Sequence, residues 1–137
     1  MEFFTVHGPG DVQGEPVVHG DEYTGFIVDC YATDRDGRRL YDGAFWSRPK
    51  GCDKSGMAAR FDLFEALGPC RGTGKLARGG EVYRDPWGMG FEHVFEKGEP
   101  LARPVHVPFI RCMATEEEQT GNVYRSPRCW PARTTLA

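Results

Sequence analysis

Ala44-Phe45-Trp46-Ser47-Arg48-Pro49-Lys50-Gly51-Cys52-Asp53-Lys54-Ser55-Gly56 is the stretch whose reading decides the fold of this chain. Ala44–Ser47 is a short apolar run that reads as a strand, and 48–55 is a tight polar loop. Behind the loop, Met57, Phe61, Phe64 and Leu67 recur at helical spacing, and Gly68-Pro69 supplies a helix stop. The predicted order is strand, loop, helix.

That order is the setting of a phosphate-binding loop. Such a loop needs glycines so that backbone N–H groups can curl around phosphate oxygens. It needs a lysine for the β and γ phosphates and a serine or threonine hydroxyl for Mg²⁺. The helix behind it turns its N-terminus toward the anion. Lys54-Ser55 supplies the last two groups and Gly51 one flexible position. The GxxxxGK[ST] pattern wants glycine where Ser47 or Arg48 stands and again where Asp53 stands. Aspartate tolerates the left-handed backbone region, but its carboxylate beside a triphosphate is electrostatically awkward. The competing reading is a solvated turn ahead of a capped helix.

Upstream of the strand, Arg39–Tyr41 and Ala44–Ser47 flank Asp42-Gly43, a two-residue hairpin signal. Tyr23, Phe26, Ile27, Cys30 and Tyr31 lie on one helical face, with Asp21 as the expected N-cap and Glu22 in the first turn. Asp36-Gly37 marks a turn after that helix, and residues 1–20, rich in Gly and Pro, read as an irregular lead-in. Downstream, 70–104 reads as a long excursion with short strands around Glu81–Tyr83 and Glu92–Phe95. Val105–Ala114 reads as an apolar strand, and Thr115-Glu116-Glu117-Glu118 as a capping box opening another helix. Two strand-then-helix units predict an α/β domain with a mainly parallel sheet.

Composition bounds the rest. The chain has 137 residues, 17 Lys+Arg against 20 Asp+Glu, and a formal net charge of −3. That fits one domain and argues against a surface coated in basic residues for non-specific nucleic-acid binding. No apolar run approaches the roughly 20 residues that span a bilayer, and the N-terminus lacks a signal-peptide pattern, so a cytoplasmic location is expected. Five dispersed cysteines, Cys30, Cys52, Cys70, Cys112 and Cys129, form no CxxC pair and read as reduced thiols. A zinc or thiol protein using Cys52, Cys70 and Cys112 is the weakest alternative.

The loop with its Arg-Pro-Lys-Gly lead, together with Arg60-Phe61 and Phe64–Pro69, resembles the terminase large subunit of tailed bacteriophages, most of all forms from phages of actinobacteria. Gly20 through Tyr31, Tyr83–Gly88, and Pro108–Glu117 with Gln119–Tyr124 agree with that family in order. The likeness implies an incomplete P-loop NTPase-type parallel sheet with flanking helices over 21–124, the start of the ATPase that drives DNA into a capsid. By resemblance, Pro49, Lys50, Gly51, Cys52, Asp53, Lys54 and Ser55 would bind ATP. Lys54 would sit on the β/γ phosphates and Ser55 on Mg²⁺, while Gly51 and Asp53 would shape the loop. Arg48 would neutralise γ-phosphate charge as a catalytic arginine, unless it is a surface arginine paired to a carboxylate. The Tyr23 region would contact adenine, unless it is a core-facing aromatic.

The implied partners are viral double-stranded DNA, the portal protein and the small terminase subunit, in the host cytoplasm and with no membrane. The family also needs an Asp-Glu pair on a later strand to hold Mg²⁺ and activate water. Glu116-Glu117-Glu118 is the only local stand-in, and the resemblance places it at a helix start instead. No acidic constellation for the family's nuclease is present. Residues 125–137 fit nothing in the family and read as a GC-rich gene translated in a shifted frame, so the expectation is a truncated chain with little or no hydrolysis. Sequencing beyond codon 124 tests this expectation. The alternative function is a small non-enzymatic α/β interaction module or phage accessory protein.

Overall fold

The computed structural model describes residues 1–7 and 11–113. The Thr115–Glu118 capping box and the 125–137 tail lie outside the described residues. The chain is mixed helix and strand: α1 (Asp21–Tyr31), α2 (Lys54–Leu67), β1 (Arg71–Leu76), β2 (Val82–Arg84), β3 (Glu92–Val94) and β4 (Pro100–Arg103). A 3-10 turn at Glu2–Phe4 and a bridge between Val6 and Pro16 organise the lead-in.

Both helices form where the apolar spacing puts them. Helix α1 begins one residue earlier than expected, with Gly20 rather than Asp21 as N-cap, so that Asp21 and Glu22 both stand in its first turn. The two helices meet through aromatic faces. Phe26 packs on Trp46 at 4.2 Å between ring centroids and edge-on to Phe61 at 5.9 Å. Tyr31 stacks on Phe61 at 5.9 Å and meets Phe64 edge-on at 5.0 Å. Such pairs contribute about 0.5–1.5 kcal/mol each beyond area burial. Among the described residues the buried apolar set is small: Val17, Met57, Ala59, Cys70 and Ala77. Most of the adhesion therefore comes from half-buried rings rather than a deep core.

The sheet differs from expectation. Both sheets are two-stranded and antiparallel, β1 with β4 and β2 with β3. Among the described residues no parallel pair forms, so the predicted parallel P-loop sheet is not built here. The hairpin expected at Asp42-Gly43 is also absent, because the chain turns earlier. The Asp34 carboxylate accepts the N–H groups of Asp36 and Arg38, both at 2.9 Å. This closes a turn in which Thr33 bridges to Arg39 and Leu40 N–H donates to the Ala32 carbonyl at 2.9 Å. Residues 44–47 then run without strand pairing, and Trp46 is held by the rings of α1 instead.

The short strands predicted at 81–83 and 92–95 are β2 and β3, in register through Tyr83 opposite His93. Strands β1 and β4 lie inside what reads as an excursion. Arg-Gly-Thr-Gly-Lys-Leu has two glycines and no apolar alternation, so it carries no strand signal of its own. Its partner begins at Pro100, and the pairing is irregular between Gly72 and Leu76. The expected strand at Val105–Ala114 is not formed over 105–113. Pro104 and Pro108 remove two ladder donors, and Val107, Phe109 and Met113 are 85%, 81% and 81% exposed.

Candidate functional site

The loop ahead of α2 is held by a closed set of internal contacts. Lys54 opens the helix and folds back over the loop, its Nζ donating to the carbonyls of Arg48 at 2.8 Å and Pro49 at 2.7 Å. An ammonium has three donors, so one remains for another acceptor. Lys50 is exposed in the turn and Gly51 takes φ 88°, a conformation that favours glycine. The Cys52 carbonyl accepts the Tyr23 hydroxyl at 3.0 Å, which ties the loop to α1.

Asp53 is the single non-glycine residue with positive φ among the described residues, at φ 43°, ψ 34°. It holds the N-cap position but caps nothing with its side chain. Its Oδ2 instead accepts Nη2 of Arg60, a side chain only 5% exposed. Gly56 makes this fold-back sterically possible: a Cβ there would lie 2.0 Å from Asp53 Oδ1. The first turn of α2 carries no acidic residue, and Met57 N–H is bonded to the Asp53 carbonyl at 2.9 Å. The N–H groups of Lys54, Ser55 and Gly56 precede that first intrahelical bond and have no side-chain cap. Uncapped N–H groups at the positive end of a helix dipole favour an anion.

Arg48, the candidate catalytic arginine, is paired with Glu22. Nη1 lies 2.5 Å from Glu22 Oε1 and Nη2 lies 2.6 Å from Oε2. Those hydrogen bonds raise the guanidinium above its ordinary value and keep it cationic. Its carbon sits 5.3 Å from the Trp46 ring centre and 5.8 Å from that of Tyr23. Tyr23 therefore serves as a wall for Arg48 and a tether for Cys52.

Beside the loop, a cavity of about 300 Å³ is walled by Phe26, Tyr31, Trp46 and Phe61 and bounded by Lys54 and Glu65. Lys54 and Glu65 lie eleven residues apart on α2, about 16 Å along its axis. The cavity thus follows the flank of the helix rather than lying ahead of its N-terminus. At its far end Glu65 accepts Arg39, Arg71 and the Tyr31 hydroxyl. Burial alone would raise the Glu65 carboxyl, but the Arg39 and Tyr31 hydrogen bonds and the two arginine charges hold it below 4.5. Burial first, then the Glu65 charge, pushes the Tyr31 phenol far above its ordinary value.

Two of the thiols are stabilised in their protonated form. Burial raises Cys30, and burial followed by the Glu65 charge raises Cys70, so both are held as thiols. Among the described residues no group of three or more His, Cys, Asp or Glu could hold a metal ion. Ser55 offers one oxygen, whereas Mg²⁺ takes six, so this donor set would hold Mg²⁺ only together with phosphate oxygens. Among the described residues, no helix is long and apolar enough to cross a membrane.

Arg48, Pro49, Lys50, Gly51, Cys52 and Asp53 form the loop, Lys54 and Ser55 open α2, and the structure adds Glu22, Gly56 and Arg60 to them. Arg60 carried a faint signal in the sequence, standing two helical turns from Asp53 on one face. Glu22 carried none, because 26 residues separate it from Arg48. No protein-family model, curated protein or solved structure matches the chain.

Proposed function

We propose that Arg48–Ser55 is the phosphate-binding loop of an ATP-driven DNA-packaging motor of the terminase large-subunit type. Its partners in that role would be viral double-stranded DNA, the portal and the small terminase subunit. The observation that carries this reading is the N-terminus of α2. Lys54 lies over the loop with a donor uncommitted, and the helix N–H groups are uncapped because Asp53 gives its carboxylate to Arg60. In this reading Lys54 holds the β/γ phosphates, Ser55 shares Mg²⁺ with them, and Arg48 faces the terminal phosphate. Residues 44–47, unpaired among the described residues, occupy the place ahead of the loop that a strand holds in a P-loop NTPase type of α/β domain.

Hydrolysis needs an acidic pair to hold Mg²⁺ and orient water. Among the described residues no strand ends in such a pair, and the expected behaviour is nucleotide binding with little or no turnover. Calorimetric titration of the full chain with Mg-ATP, beside a Lys54→Ala control, tests the reading. Binding heat from the wild type and a loss of at least tenfold in affinity in the variant support it.

Equal heats or no heat from both proteins overturn it in favour of a second reading. In that reading 48–55 is a structural turn of a non-enzymatic interaction module. The pairing of Arg48 with Glu22 and of Asp53 with Arg60 favours it, since a turn with no ligand must satisfy its own charges.

A further inference from the structure

We infer that Glu22 is a positioning residue for Arg48: its carboxylate occupies the guanidinium fork that a bound phosphate would use, so that phosphate binding and the first turn of α1 compete for one side chain. The inference rests on the phosphate-loop reading of 48–55. Glu22 takes both Nη atoms of Arg48, at 2.5 and 2.6 Å, and the Arg48 Nε is buried with no partner. The end-on face of the fork, one N–H from each Nη, is thus taken by one carboxylate. A phosphate presents two oxygens to the same planar fork. The two cannot both hold it in that geometry.

The surroundings make an exchange feasible without rebuilding the loop. Trp46 and Tyr23 hold the guanidinium carbon at 5.3 and 5.8 Å from their ring centres, a platform that does not depend on which anion sits at the fork. Glu22 is 61% exposed, so its carboxylate can be released into water at small desolvation cost. The Arg48 carbonyl meanwhile accepts Lys54 Nζ at 2.8 Å, which fixes the backbone of the arginine in the loop while its side chain changes partner. Release of Glu22 leaves α1 tied to the loop through the Tyr23–Cys52 hydrogen bond and the Tyr23 ring beside Arg48, so phosphate occupancy would be felt at the N-terminus of α1.

The test is a double-mutant cycle read by calorimetry with Mg-ATP on the full chain. Glu22→Gln removes the competing charge at constant shape, and Mg-ATP should bind about two- to fivefold tighter, the range of an exposed ion pair. Glu22→Ala should do the same. In an Arg48→Gln background neither substitution should change affinity, an outcome that a merely structural role for Glu22 would not produce. Unchanged or weaker binding by both Glu22 variants, with wild-type binding still dependent on Lys54, overturns this inference and leaves the phosphate loop standing. An equal gain in the Arg48→Gln background also overturns it. Absence of Mg-ATP binding by the wild type overturns both.

Discussion

Glycine at position 53 would restore the residue that the phosphate-loop pattern carries there, yet the structure predicts that it destabilises the fold. Asp53 sits at φ 43°, ψ 34°, where a side chain costs about 1 kcal/mol that glycine would recover. Against this stands the loss of the partner of Arg60, whose side chain is 5% exposed while that of Asp53 is 51% exposed. Breaking a fully buried pair costs about 3–5 kcal/mol and an exposed pair below about 1 kcal/mol. One buried and one half-exposed end place this pair near about 2 kcal/mol. The net effect of Asp53→Gly is then a loss of about 1 kcal/mol, or about 3–5 °C in Tm for a chain of this size. Asp53→Asn keeps the left-handed tolerance and loses only the charge, so it should cost about 1–2 kcal/mol. In an Arg60→Met background the pair no longer exists, and Asp53→Gly should stabilise by about 1 kcal/mol. Thermal unfolding followed by far-UV circular dichroism at neutral pH reads the wild type and the four variants. A higher Tm for Asp53→Gly in the wild-type background would refute the reasoning, because it would mean that Arg60 needs no carboxylate.

Acid should weaken the fold in two stages. Burial first and the Arg60 charge second hold His19 below 6.5, so it stays neutral in the fold while the unfolded chain takes up a proton. Stability therefore declines as pH falls below 6.5. Glu65 is held below 4.5, so its contribution is present above that value and is lost as pH falls through its folded value. Urea midpoints measured from pH 7.5 to 3.5 should show both stages, and His19→Gln should remove the upper one; a flat midpoint between pH 7 and 5.5 in the wild type contradicts the assignment. Hydrogen exchange by NMR should find the amides of 43–47 close to unprotected, since no backbone hydrogen bond holds them among the described residues, and those of Met57–Phe61 protected. Protection of 44–47 to the level of α2 would show that the run is paired after all.

The helices were legible in the sequence because their information is local. Tyr23, Phe26 and Tyr31 on one segment and Met57, Phe61 and Phe64 on the other mark faces by spacing alone, and those rings make the helix–helix contact. Strands β2 and β3 were legible for a similar reason, being short β-prone runs divided by a loop. That loop is centred on Asp85, whose carboxylate accepts the N–H groups of Trp87, Met89 and Phe91. Pairing was not legible. Asp42-Gly43 reads as a hairpin signal and Asp36-Gly37 only as a turn, yet the bridge forms around the earlier one, where the Asp34 carboxylate takes two backbone donors. Gly72, Gly74 and Pro100 concealed β1 and β4. The positions of the loop residues were readable and Arg60 was faintly so from its helical spacing to Asp53, but Glu22 was not, since a pair between α1 and the loop leaves no spacing.

The departure of the loop from its pattern now has a physical account. Aspartate in place of glycine at 53 is an objection only if its carboxylate faces the anion. Gly56 leaves room for the carboxylate against the first turn of α2, and the buried Arg60 guanidinium offsets its charge there. Neither residue belongs to the phosphate-loop pattern, so a motif search weighs position 53 without the two positions that compensate it. The left-handed backbone that glycine would supply is also present, at φ 43°. What the pattern asks of glycine is a conformation and the absence of an interfering side chain. Asp53 supplies the conformation, and Gly56 and Arg60 give its side chain space and a counter-charge. A substitution at any one of them should therefore be felt at the other two before it is felt at Lys54.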